Sequence, residues 1–290
     1  MNRSEAYDPR WNKIGRPLAA QAVIDETASK EGQYSLAKIF GIWAAAALPM
    51  AILGWIVAPM AGDHINFGVG AANNEVFARA VFLTGGLIWQ FVLAMAIVYG
   101  EEGDLRWSTI RQRCWLNAPR DPKTGEKRGR LWLMVVPFIV LVALIQMSPV
   151  QAAWDALFPF LGEPERFSFQ ALMESDERKA ALEGAWQVLG VFVVLGVFNT
   201  ILGEELLFRG ILLPKMRGAF GKADWVANGL LFGVYHLHQP WTIFGSVLEG
   251  IFCLAFPSRR YRSSVMGMVM HSGQTVFFII VALGLVLGLA

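Results

Sequence analysis

The segment "NTILGEELLFRGILLPK" (199–215) sets Glu204, Glu205 and Arg209 inside an otherwise apolar run. A charged side chain near the centre of a membrane helix costs about 2.5–3.5 kcal/mol on insertion scales, so each needs a partner or a task. Arg209 follows Glu205 by four residues, the separation at which helix side chains meet, so the two are expected to pair. Glu204 points about 100° away on the same helix and is left without that arginine. A carboxylate in an apolar setting suits general-base work on water, provided that a second group orients the water. His236 is the expected helper, with Phe232 four residues earlier packed beside its ring. His271 and Thr275 form another pair four residues apart, and both could donate hydrogen bonds to a developing oxyanion. Gln274 is the alternative donor. His238, two residues after His236, is expected on the opposite face, at the membrane boundary or in a turn.

These residues must be positioned by membrane helices. The 290-residue chain is 55% hydrophobic and 17% charged, against roughly 25% charged residues in soluble domains. Its mean hydropathy is +0.44. Apolar blocks long enough to cross a bilayer, about 17–25 residues, or paired shorter ones, fall at 37–60, 77–99, 131–147, 185–213, 225–238, 241–256 and 264–289. Pro240 breaks the fifth from the sixth. The predicted fold is an all-α polytopic membrane helix bundle of about seven transmembrane helices, with six or eight also compatible. Segment 150–162 is too short to cross and reads as an interfacial helix.

Charge supports this count. The N-terminal tail, the 101–130 loop, residues 215–222 and "SRRYR" (258–262) are rich in Lys and Arg. The alternate connections are not: 61–76 has neither, and 148–183 carries Glu163, Glu165, Glu174, Asp176, Glu177 and Glu183. The positive-inside rule then predicts a cytoplasmic N-terminus. No apolar signal-peptide core precedes the first span. Cys114 and Cys253 make no disulfide framework. At about 1.5 Å per residue, Glu204, His236 and His271 lie roughly 10–18 Å along three different spans, at similar depth. Glu249 is a packing or pore-facing carboxylate, Asn199 and Asn228 are interhelical hydrogen-bond candidates, and Gly245 and Gly250 are candidate close-approach positions.

At "EELLFR", "FGVYH" and "HSGQT" the sequence resembles the CAAX protease and bacteriocin-processing (CPBP) family of intramembrane proteases, through that family's EExxxR, FxxxH and third histidine motifs. The resemblance covers about 184–275 and implies an endopeptidase acting on a membrane-associated protein or peptide in or near the bilayer. It implies that Glu204 and His236 activate water, that His271 contributes to an oxyanion hole, and that Glu205 and Arg209 support them. Where the family commonly has asparagine, this chain has Thr275. The expected organisation is a cytoplasmic tail (1–36), N-terminal membrane helices with their loops (37–183) and a catalytic membrane core (184–290). No cofactor and no nucleic-acid partner are expected. The competing readings are a zinc protease using Glu204, His236 and His271 as ligands, and a non-enzymatic transporter or immunity protein, because proton relays also use intramembrane carboxylates and histidines.

Overall fold

The structure, a computed structural model, describes residues 32–147 and 149–290. The expected N-terminal tail lies almost wholly outside the described residues. Among the described residues, seven apolar helices appear where the hydrophobic blocks predict them: α1 (Leu36–His64), α2 (Ala71–Glu102), α3 (Gly129–Ile145), α4 (Trp186–Lys215), α5 (Asp224–Tyr235), α6 (Pro240–Tyr261) and α7 (Ser264–Val286). Five of them, α1, α2, α4, α6 and α7, are long and apolar enough to cross a membrane. The α3 helix is shorter, and the 12 residues of α5 span only about 18 Å of a hydrocarbon layer about 30 Å thick. The turn after α5 therefore lies inside the bundle. Irregular backbone is tolerated at such depth only where protein buries it or a cavity receives it, and His238 in this turn and Trp241 at the start of α6 are indeed buried.

Local sequence sets the helix ends. Ser35 caps α1 by accepting from the Lys38 N–H at 3.2 Å. Gly103 closes α2 in the left-handed conformation at φ +75°, the usual role of glycine at that position. The helix Val150–Leu157 stands where the interfacial segment is expected.

One apolar core joins most of the described helices, running from Tyr34 and Ile39 through Leu87, Leu207, Phe208 and Phe232 to Met266 and Met270. A second core, at the end carrying the acidic loop, joins Val69 and Phe77 to Leu172, Leu182, Val188 and Leu285. Helix α5 lies against α6 through glycines: a Cβ at Gly229 would collide with the Ile251 backbone, and one at Gly233 with Val247. Gly250 completes this contact opposite Gly229, whereas Gly245 faces open space. The expectation for Gly245 is thus corrected; the small-residue seam runs through Gly229, Gly233 and Gly250 instead.

Candidate active site

Helix α4 carries the two glutamates on irregular backbone. It is π-helical at Phe198–Leu202 and again at Leu206–Leu212, with Gly203 between them at φ −93° and ψ −87°. A Cβ on Gly203 would approach the Leu87 carbonyl oxygen to 2.8 Å, so only glycine fits where α4 crosses α2. Single π-turns inside helices recur at functional sites because they re-aim side chains.

Glu204, Glu205 and Arg209 are buried to 2%, 0% and 0% exposure. Arg209 Nη1 donates to Glu205 Oε1 at 2.9 Å, the expected pair. Its guanidinium also lies 4.0 Å from the Phe232 ring centroid, a cation–π contact that substitutes for lost hydration. The same Glu205 oxygen meets His271 Nδ1 at 3.1 Å. Glu205 thus serves two cations or donors, one on its own helix and one on α7. Gly267 leaves room for this, since a Cβ there would collide with Glu205 Oε2.

A carboxylate oxygen only accepts, so His271 Nδ1 carries a proton and Nε2 is the ring nitrogen left for the site. The same reasoning applies to His236. Its Nδ1 lies 3.0 Å from the Phe232 carbonyl oxygen, which makes Nδ1 the donor and Nε2 the free base. Phe232 stands between the two imidazoles, edge-on to both, at 5.0 Å from His236 and 6.0 Å from His271. Tyr235 lies 5.0 Å from His236 and is fixed by the Gln90 amide, which donates to its hydroxyl at 2.6 Å.

Glu204, His236, His271, Gln274 and Thr275 line one cavity of about 420 Å³. Glu249 and Asn199 line it as well. Its far wall comes from outside the C-terminal third: Met50 of α1, Leu83 and Leu87 of α2, and Glu163 and Phe169 of the acidic loop. His238 lies in the turn after α5, one of the two placements expected for it, yet it reaches the cavity rather than lying away from it. The helix ends at Tyr235, so the geometry that separates residues two apart on a helix no longer holds. His238 lies 5.5 Å from His236, stacked at 23°, and lines the same cavity.

Thr275 is engaged with α4. Its hydroxyl donates to Thr200 Oγ1 at 3.1 Å, and Thr200 donates to the Gly196 carbonyl at 3.0 Å. Asn228 fulfils its expectation by donating to the Phe208 carbonyl at 2.8 Å. Sequence reading passed over Arg79, a lone arginine in the apolar run of α2. It is buried and donates to the Gly54 carbonyl at 2.7 Å and to the His238 carbonyl. Its isolation among apolar residues was the available signal.

For the zinc reading, the residues present do not form a ligand set: among the described residues, no group of three or more His, Cys, Asp or Glu side chains could hold a metal ion. In comparison with known proteins, residues 185–290 match the family model described as type II CAAX prenyl endopeptidase Rce1-like. That match covers α4 to α7 and every residue of the motif set. No curated protein matches the chain, and no solved structure does.

Proposed function

We propose that the protein is an intramembrane endopeptidase that hydrolyses a peptide bond of a membrane-associated protein or peptide, with residues 184–290 supplying the catalytic groups. The observation that carries this reading is the convergence of Glu204 of α4, His236 at the end of α5 and His271 of α7 on one cavity of about 420 Å³, inside the stretch that matches the endopeptidase family. A scaffold needs satisfied polar groups; it does not need three of them lining one space.

In the proposed reaction, Glu204 takes a proton from a water that His236 Nε2 holds by accepting its other hydrogen. The water oxygen bonds to the scissile carbonyl carbon, and the carbonyl electron pair moves to oxygen. His271, held through Nδ1 by Glu205, donates from Nε2 to that oxyanion. Glu204 then passes its proton to the leaving amine as the carbon–nitrogen bond breaks. Glu205 and Arg209 position His271 and touch no substrate. For the second oxyanion donor the geometry favours Gln274, because the Thr275 proton is taken by Thr200. No step is routed through a metal.

The test is cleavage of a membrane-anchored reporter by purified protein in detergent. Glu204→Gln and His236→Ala should each lower the rate by 10²-fold or more, about the contribution of a positioned general base, with an unchanged unfolding transition. Full activity in either variant rejects the assignment. Activity that a chelator abolishes and zinc restores would favour the metal reading instead.

A further inference from the structure

At the end of the bundle opposite the acidic loop lies a second cavity, of about 540 Å³, separate from the candidate active site. Seven lysine and arginine side chains line it against two aspartates. Both acids are already engaged: Asp224 with Arg259 at 2.7 Å and Asp121 with Arg128 at 3.4 Å. Lys123, Arg217, Lys222, Arg260 and Arg262 make no ion pair among the described residues, so the cavity holds a surplus of positive charge.

This concentration goes beyond what membrane topology alone requires. The positive-inside rule asks only for basic residues in a loop and is indifferent to where their side chains converge. Here three separate segments, 120–125, 217–225 and 256–262, build one concave surface. They are tied by backbone and side-chain bonds. The Arg120 N–H donates to the Tyr261 carbonyl at 2.9 Å, and the Asn117 amide donates to the Arg262 carbonyl at 2.8 Å. Ser264 Oγ donates to the Cys114 carbonyl at 2.6 Å. Arg262 itself sits at φ +47° and ψ +48°, a left-handed conformation that arginine seldom adopts. Like charges held together without counter-charge repel, so a fixed cluster of them implies an anion that offsets the repulsion. On the bilayer side the wall is aromatic: Trp225 and Phe256 line the cavity with ring centroids 5.2 Å apart. Aromatic rings beneath a basic concavity match the boundary between headgroup and acyl chain.

We propose that this cavity binds a phosphate-bearing anion of the kind presented by an anionic phospholipid headgroup, whose acyl chains leave past Trp225 and Phe256. The experiment is native mass spectrometry of the full chain in neutral detergent, titrated with phosphatidylglycerol, with phosphatidylcholine and with inorganic pyrophosphate. Wild type should retain phosphatidylglycerol in preference to phosphatidylcholine, and each removed charge should weaken retention about fivefold. Arg260→Gln and Arg262→Gly are the informative variants. The second removes the charge while giving the backbone the residue best suited to its conformation, so lost retention cannot be laid to misfolding. Pyrophosphate that displaces the lipid would show that a soluble phosphate also fills the site; pyrophosphate without effect assigns it to lipid. Equal retention of the two lipids, or preference unchanged in the double variant, overturns the proposal.

Discussion

At the level of single residues, the site assigns different work to two adjacent carboxylates. Glu205 is locked between Arg209 and His271 at 2.9 and 3.1 Å, so its charge is structural as well as orienting. Removing one member of a buried pair leaves the other charge uncompensated, at a cost of about 3–5 kcal/mol. Glu205→Gln should therefore lower both the unfolding transition and peptidase activity. Glu204→Gln removes no ion pair and should shift stability by less than about 1 kcal/mol, while still abolishing cleavage. Thermal unfolding in detergent alongside the reporter assay separates the two; equal destabilisation by both variants would contradict this division. The pairing of Glu205 with Arg209 was legible in the sequence because it depends only on spacing four apart, and it survived even though Leu206–Leu212 is π-helical. The second partner of Glu205 was not legible. It comes from α7, 66 positions away, and no local period encodes that contact.

At the level of elements, the hydrophobic blocks announced the helices, because a bilayer demands length and apolarity and both are visible in a sequence. Which face of each helix meets which neighbour was hidden. Gly245 and Gly250 look alike in the sequence, yet Gly250 abuts Gly229 and Gly245 meets nothing within 4 Å. Likewise His238 was assigned to an opposite face by helical geometry, but the chain had already left the helix at Tyr235. The glycine seam yields a direct comparison. Gly229→Ala forces a Cβ into the Ile251 backbone and should destabilise by about 1–3 kcal/mol, the usual range for overpacking. Because His236 directly follows α5, activity should fall with it. Gly245→Ala should stay within about 0.5 kcal/mol of wild type. Denaturation midpoints of the two variants decide the point, and similar midpoints would mean that α5 and α6 are not packed through Gly229.

At the level of the whole molecule, the proposed catalytic groups come from the C-terminal third, but the cavity is closed by the rest of the chain. Arg79 of α2 stacks 4.3 Å from the Phe167 ring centroid while holding the Gly54 and His238 carbonyls. One arginine thereby joins α1, the acidic loop and the turn that carries the histidines. Beside it Glu163 lines the cavity from the loop, and its pKa is pushed above the ordinary value of 4.5 chiefly by burial; the Ser168 hydrogen bond and the Arg79 charge oppose this shift but do not overcome it. A carboxyl whose pKa is raised by folding holds its proton more tightly in the folded state. Its stabilisation is therefore complete below 4.5 and is lost as pH rises through the raised folded value. Glu163→Gln mimics the protonated form at every pH. The unfolding temperatures of variant and wild type should coincide in acid, and the variant should become the more stable as pH rises past 4.5 toward neutrality. A difference that favours wild type at neutral pH would mean that the Arg79 charge, rather than burial, governs Glu163 where the loop closes over the cavity, and one that stays constant with pH would mean that folding leaves its titration unchanged.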